Sequence, residues 1–390
     1  MGFNDVKSKK PSYKTKKKIM WHFFPGKYMP SYQVNRALTQ AHYGGGEFAE
    51  ILEVASNIDP DNRETFNLEW LKKGNEVNDW AKAYEKDGKY ISARRTYLRA
   101  FNYLRTAEFF MPLEDQRKIE TYVKAREAFI KATKYFEEKP IQVEVPFEDS
   151  FLPGYLFKPK GAKNPPVMVM FGGLDSLAEE LYFGIGDHLM ERGIALLAMD
   201  GPGQGAALRL NHIHSRHDYN VAGTAVLDWV LENLKNEVDT SSVGIAGVSM
   251  GGYMAARCAA FEPRFKVCMI FGAVWSYYSV WAGRSGKHPL AKIVQHIMDE
   301  DTYEGVLKKL EGFTLENGVA EKISMPTFIM HGGGDKQNFI DHAITLEKHL
   351  TCEHKMKIVP DGESGAQHCQ VDNFMPTLEM YDWIAEKIHA

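Results

Sequence analysis

The sequence predicts an α/β fold: a mostly parallel sheet of eight strands, covered by helices on both faces and preceded by a helical region. Three observations predict it. Up to about residue 140, apolar residues recur at three- and four-residue steps, the period of an amphipathic helix. From 141 the period changes to two, and short apolar runs then alternate with helical ones. Strands that are apolar along their whole length, set between helices, belong to a sheet buried on both faces. The expected division is a helical N-terminal or cap domain over 1–140 and a sheet-bearing domain over 141–390.

In the first part, Phe66, Trp70, Gly74, Val77, Ala81 and Tyr84 form one stripe. A turn at Lys86-Asp87-Gly88 follows. Ile91, Ala93, Tyr97, Phe101, Leu104, Ala107 and Phe110 then continue at helical spacing, so a helical hairpin is expected, ended by Pro112. Another helix is expected from about Glu114 to Glu137.

In the second part, Ile141, Val143, Val145 and Phe147 alternate with polar residues, and Gly154–Phe157 follows a short turn, as in an antiparallel hairpin. Val167–Phe171, Ile194–Met199, the run ending at Ala246, Phe265–Phe271, Thr327–Met330 and Lys355–Val359 read as further strands. Helices are expected over Ala178–Arg192, Tyr219–Leu234, after Gly252, near Ile340–Leu350 and over Met375–Ile388. One stretch, Gly272–Pro326, is about 55 residues long, far more than a strand-to-helix connection needs. It carries helical runs near Pro289–Met298 and Tyr303–Glu311 and reads as a lid over the sheet's edge, an insertion at about 276–320.

Ser242-Val243-Gly244-Ile245-Ala246 leads into Gly247-Val248-Ser249-Met250-Gly251, and a helix-forming run follows. Strand, tight turn and helix around G-x-S-x-G make a nucleophile elbow, which lifts a serine hydroxyl above the sheet. A Cβ at either glycine would clash across so sharp a turn. Serine needs a base to take its proton, and the base needs an acid to orient it. In the α/β-hydrolase fold the chain order is Ser, Asp or Glu, then His. Asp335 follows the strand Thr327–Met330, and His368 follows the last strand. Ser249, Asp335 and His368 therefore fall on three loops at one edge of the sheet. His349 and His354 lie before or within the last strand, and Asp341 and Asp361 fit the acid's place less well. The amide of Met250 and one amide of Phe171-Gly172-Gly173-Leu174-Asp175 are expected to hold an oxyanion: Leu174, with Gly173 as the alternative.

Trp275, Tyr277, Tyr278 and Trp281 open the lid segment. They suggest a flat or apolar substrate, or ordinary packing of lid on core; Tyr182 and Tyr219 are further candidates for the same wall. His212, His214 and His217 lack the spacing of a metal site, and neither a metal nor a cofactor is expected; Cys369 lacks an elbow and reads as a packing residue rather than a nucleophile. The net charge of −4 gives no reason to expect nucleic acid or an anionic membrane as partner. The Lys7–Lys18 run, with seven lysines and no acid, reads as a solvated tail. Four scattered cysteines, no signal-peptide core and no membrane-length apolar run fit a cytoplasmic protein.

Gly172-Gly173-Leu174-Asp175-Ser176, Asp200-Gly201-Pro202-Gly203-Gln204-Gly205, the elbow, and His368-Cys369-Gln370 resemble the FrsA-like α/β-hydrolases. That group includes dihydroxypseudooxynicotine hydrolase and fungal polyketide-shortening hydrolases. The resemblance implies the same three residues, cleavage of an ester or of a carbon–carbon bond beside a ketone, and a homodimer. Trp275–Trp281 carries no carboxylate, so it offers no acidic grip for an amine-bearing substrate. Acyl transfer on the same site, or a non-catalytic binding module with a hydrolase fold, are the alternatives.

Overall fold

The computed structural model describes residues 22–390; the Lys7–Lys18 run lies outside the described residues. Helices α1 (Tyr28–Gln40), α2 (Phe48–Asn57), α3 (Arg63–Lys86), α4 (Tyr90–Phe109) and α5 (Gln116–Thr133) come first. Asn62 and Asp115 cap α3 and α5 by accepting from the amides of Glu64 and Arg117. Helix α4 lies between α3 and α5 and is buried along most of its length. Gly74 lets α3 and α4 cross closely, since a Cβ there would stand 2.8 Å from Leu104. Phe66, Trp70, Val77 and Ala81 are buried as the stripe requires, but Tyr84 (39% exposed) and Ile91 (71%) are not. Both sit beside the turn that joins the hairpin, in the last turn of α3 and the first of α4.

The sheet has the order β1-β2-β4-β3-β5-β6-β7-β8. Its strands are β1 (Ile141–Phe147), β2 (Ser150–Phe157), β3 (Val167–Phe171), β4 (Ala195–Met199), β5 (Val243–Val248), β6 (Cys268–Phe271), β7 (Thr327–Gly332) and β8 (His354–Val359). Only β1–β2 and β2–β4 pair antiparallel; β3 to β8 are parallel. Strands β3 and β4 are buried at every position, because helices cover both faces. This is the α/β-hydrolase fold expected above, with a helical region before it.

The helices of the sheet region are α6 (Ile185–Met190), α7 (Gly205–Arg209), α8 (Asn220–Asn233), α9 (Met250–Phe261), α10 (Tyr277–Ala282), α11 (Ala291–Met298), α12 (Tyr303–Leu310), α13 (Ile340–His349) and α14 (Leu378–His389). The helix expected over Ala178–Arg192 is instead a 3-10 turn, Ala178–Tyr182, followed by α6. Gly184, at φ +78°, breaks it. Helices α10 to α12 occupy the long connection between β6 and β7. Among the described residues no helix is long and apolar enough to cross a membrane.

Candidate active site

Strand β5 delivers the chain to Ser249 at φ 60°, ψ −120°, and α9 starts at the next residue. This left-handed corner is fixed from both sides: the Ser249 amide donates to the Phe271 carbonyl at 2.8 Å, and the Gly252 amide donates to the Ser249 carbonyl at 2.8 Å. Gly247 and Gly251 face one another across the turn, where a Cβ on Gly247 would overlap the Gly251 backbone. A Cβ on Gly251 would stand 2.5 Å from the Gly172 carbonyl oxygen and 2.6 Å from that of Phe171. The elbow is therefore pressed against the end of β3 and the loop that follows it.

Ser249, His368 and Asp335 come together in one hydrogen-bonded chain. Ser249 Oγ is 2.8 Å from His368 Nε2, and His368 Nδ1 is 2.7 Å from Asp335 Oδ2. Asp335 is fully buried, and its Oδ1 accepts from the amides of Gln337 (2.7 Å) and Asn338 (2.9 Å). A second imidazole braces this loop. His331 accepts the Ala273 amide at Nδ1 (3.1 Å), so its proton sits on Nε2, 3.0 Å from the Asn338 carbonyl. Burial lowers the His331 pKa, which keeps that ring neutral. Burial also works against a charge on His368, but the neighbouring Asp335 outweighs it and holds the His368 pKa well above the ordinary value. Burial would raise the Asp335 pKa, yet the opposing His368 lowers it. The pair thus favours an ionised Asp335 whose carboxylate accepts a hydrogen bond from His368 Nδ1–H. In the neutral imidazole, Nε2 is then the nitrogen left to accept from Ser249 Oγ.

The loop after β3 is held by the Asp200–Gly205 turn. Gln204 Nε2 donates to the carbonyls of Gly172 (2.6 Å) and Gly173 (3.1 Å), while its Oε1 accepts from the Gly201 amide (3.2 Å) and the Tyr219 hydroxyl (3.3 Å). In a planar trans peptide the carbonyl and the following N–H point opposite ways. Drawing the Gly173 carbonyl toward Gln204 therefore turns the Leu174 amide to the other side. Gly173 itself abuts Ser249: a Cβ there would be 2.9 Å from Ser249 Cβ and 3.3 Å from Oγ. Asp200 shapes the turn by accepting from the amides of Ala178 and Ala206, each at 2.7 Å. Its carboxyl is raised to about 7 by burial and by Glu179. These roles explain the Asp-Gly-Pro-Gly-Gln-Gly run, which the sequence shows only as a signature.

The helical region reaches the same loop. Arg105 on α4 donates to the Asp175 backbone carbonyl, and Arg209 pairs with the Asp175 side chain. Arg105 also meets Glu108 (2.5 Å) and Glu180 (3.1 Å), and Lys118 meets Glu108 (2.8 Å). All six ionised side chains are nearly or fully buried, so each charge depends on its partners.

A cavity of about 200 Å³ opens on Ser249 and His368, lined also by Gly173, Leu174, Tyr277 and Trp281. An engineered cavity of roughly 150 Å³ holds benzene, so this one takes a ring-sized group. Four of the expected wall residues lie elsewhere. Trp275 stacks on His349 (4.7 Å between ring centres), and with the half-exposed Tyr278 it lines a shallow outer cleft. Tyr182 packs among Phe136, Phe157 and Phe183, and Tyr219 is fully buried below Gln204. Trp275, Tyr182 and Tyr219 are held by ring packing or hydrogen bonding that turns them from the cavity. In their place stand Tyr32, Arg36 and Gln40 of α1, Arg105 of α4, Arg284 and Gln337. The cavity-facing side of α1 is largely polar, so hydrophobic periodicity does not mark it. Cys369 lies at the cavity edge with Sγ toward the Phe271 carbonyl (3.8 Å). His349 pairs with Glu321 instead. His214 turns to the His296 carbonyl, and His217 packs on Phe313. Among the described residues no group of three His, Cys, Asp or Glu side chains converges as metal ligands would.

The chain matches the model of the esterase FrsA-like family over residues 48–284 and that of the prolyl oligopeptidase family over residues 188–390. It is 36% identical over 263 residues to the α/β-hydrolase psoB of Aspergillus fumigatus, covering 64% of this chain and 59% of that protein. It is 34% identical over 272 residues to the α/β-hydrolase xenA of Xenoacremonium sinensis (67% and 63% covered). With the hydrolyase poxO of Penicillium oxalicum it shares 32% over 272 residues (67% and 63%). The chain spans about three-fifths of the length of these curated relatives. The solved structure of 2,6-dihydroxy-pseudo-oxynicotine hydrolase superposes with a TM-score of 0.78 at 23% identity, over 90% of this chain and 95% of that one. AbyA5 follows at 0.65 and 18%, over 86% and 92%. Both likenesses concern the fold.

Proposed function

The chain belongs to the esterase FrsA-like family of α/β-hydrolases, and from that premise we propose that it is a serine hydrolase working through Ser249, His368 and Asp335. The observation that carries this reading is the unbroken hydrogen-bond chain from Ser249 Oγ through His368 to Asp335 at the floor of a ring-sized cavity. A non-catalytic binding module would have no need of it.

Ser249 Oγ attacks a carbonyl carbon as His368 Nε2 takes its proton. Asp335 holds the imidazole in the accepting tautomer and stabilises the imidazolium. The amides of Leu174 and Met250 receive the oxyanion. Met250 is the first residue of α9, so its N–H has no acceptor within the helix. When the intermediate collapses, His368 returns the proton to the leaving group: to oxygen for an ester, to the carbanion carbon for a 1,3-diketone. Water, activated by His368, then releases the acid from the acyl-enzyme.

The substrate class we assign is an aromatic or apolar ester, or a ketonic substrate of polyketide type cleaved between carbons. We also place the protein in the cytoplasm, consistent with its four free cysteines, and take it as a homodimer on the family resemblance. A panel of aryl esters and aryl 1,3-diketones tests the reaction. Turnover of either class, lost in Ser249→Ala, is expected; turnover that survives Ser249→Ala would overturn the assignment.

A further inference from the structure

The cavity holds more positive charge than its walls neutralise. Three guanidinium groups line it, from Arg36, Arg105 and Arg284, against one carboxylate, Glu180. Two of the three are accounted for. Arg36 pairs with Glu180 and also donates to Gln33 Oε1 at 2.8 Å. Arg105 pairs with Glu180 and, behind the wall, with Glu108.

Arg284 differs. It follows α10 on the inserted segment, with its guanidinium 4.6 Å from the centre of the Trp281 ring. Its hydrogen bonds go to neutral acceptors, the Gln337 carbonyl (2.9 Å) and the Gln337 side-chain oxygen (3.3 Å), both through one terminal nitrogen. Among the described residues no carboxylate stands within ion-pairing distance of it. Burial lowers its pKa, and Tyr277, Tyr303 and Asp335 act against that only from a distance. A guanidinium presents five donors in a planar fork matched to a pair of anionic oxygens. An aromatic face and one carbonyl orient the Arg284 fork without neutralising it.

We propose that Arg284 receives an ionised oxygen of the substrate, a carboxylate or the enolate of a 1,3-dicarbonyl, while the carbonyl to be cleaved lies at Ser249. The anion completes the charge balance of the cavity, and the Trp281 and Tyr277 rings hold the apolar body between the two ends. This rests on the hydrolase reading for what happens at Ser249, but the recognition step is measured without turnover.

The experiment uses full-length protein carrying Ser249→Ala and two matched pairs of probes, with affinities read by calorimetry. The pairs are 3-phenylpropionate against 3-phenylpropionamide, and 1,3-cyclohexanedione, ionised at neutral pH, against cyclohexanone. The expected result is that at least one anion binds about tenfold or more tighter than its neutral partner, the strength of a charge-assisted bidentate pair. Which pair shows it identifies the anion as carboxylate or enolate. Adding Arg284→Gln is expected to collapse that ratio to about threefold or less. Arg284→Lys, which keeps the charge but not the fork, is expected to retain part of it. Equal affinity for charged and neutral probes would overturn the proposal. So would an Arg284→Gln variant, folded by its unfolding transition, that weakens both members of a pair by the same factor. Failure of the hydrolase reading would show separately, as no turnover of a neutral aryl ester by the wild type.

Discussion

Gln204 Nε2 donates to the carbonyl oxygen of Gly172 at 2.6 Å. With the companion bond to the Gly173 carbonyl (3.1 Å), it lets a residue of the turn after β4 orient the loop after β3, and with it the Leu174 amide assigned to the oxyanion. Gln204→Glu keeps the size of the side chain but, when ionised, replaces the donor by an acceptor facing a carbonyl. We expect kcat on an aryl ester to fall about 10²-fold, the scale of losing one oxyanion donor, with KM changed far less. Equal kcat in variant and wild type would remove Gln204 from the account.

Gly173→Ala tests the closeness of that loop to the nucleophile. The new Cβ would stand 2.9 Å from Ser249 Cβ, so loop and elbow must part by several tenths of an ångström. Misplacement on that scale near the reacting atoms is expected to cost about 10- to 10²-fold in kcat. The unfolding midpoint should move little, because the cavity gives room. Steady-state kinetics with thermal unfolding decides it.

The His368–Asp335 pair sets the pH dependence. His368 must be neutral to accept the serine proton, and Asp335 holds its pKa well above the ordinary imidazole value. The kcat/KM on a neutral ester should therefore rise with pH through a midpoint above 6.5. In Asp335→Asn the largest raising influence is gone while burial still acts, so the midpoint of any residual activity should move to lower pH. Its size should fall by about 10⁴-fold, as the wrong tautomer is favoured. A pH–rate profile whose midpoint is unmoved by Asp335→Asn would contradict the pairing.

Arg105 ties the helical region to the sheet region through Glu180 and the Asp175 carbonyl. Arg105→Ala leaves buried carboxylates short of one partner, although Lys118, Arg209 and Arg36 remain. A loss of about 3 kcal/mol in denaturant unfolding is expected, at the low end for breaking a buried ion cluster. Activity should fall with it, because the same guanidinium pins the loop beside Ser249. Full activity in a destabilised Arg105→Ala would show that the loop needs no such tether.

Much of this was legible in the sequence. The elbow could be read because Gly247 and Gly251 face backbone across a turn that only glycine permits. Asp335 and His368 could be read because strand order fixes which loops share an edge of the sheet. What was missed has physical reasons. The wall formed by α1 is largely polar, so Arg36 and Gln40 follow no hydrophobic period. Tyr182 and Tyr219 look like cavity residues from their positions, yet ring packing and the Gln204 bond turn them inward. Trp275 is turned by its amide, which donates to His342 Nδ1 at 3.1 Å, and by the His349 ring. Such choices depend on neighbours distant in the chain.

An activated Ser249 would be shown by intact mass after treatment with a fluorophosphonate. One adduct is expected on the wild type, no adduct on Ser249→Ala, and strongly slowed labelling of His368→Ala. An unmodified wild type that is folded and open to small aryl esters, or an adduct that persists in Ser249→Ala, would contradict that activation.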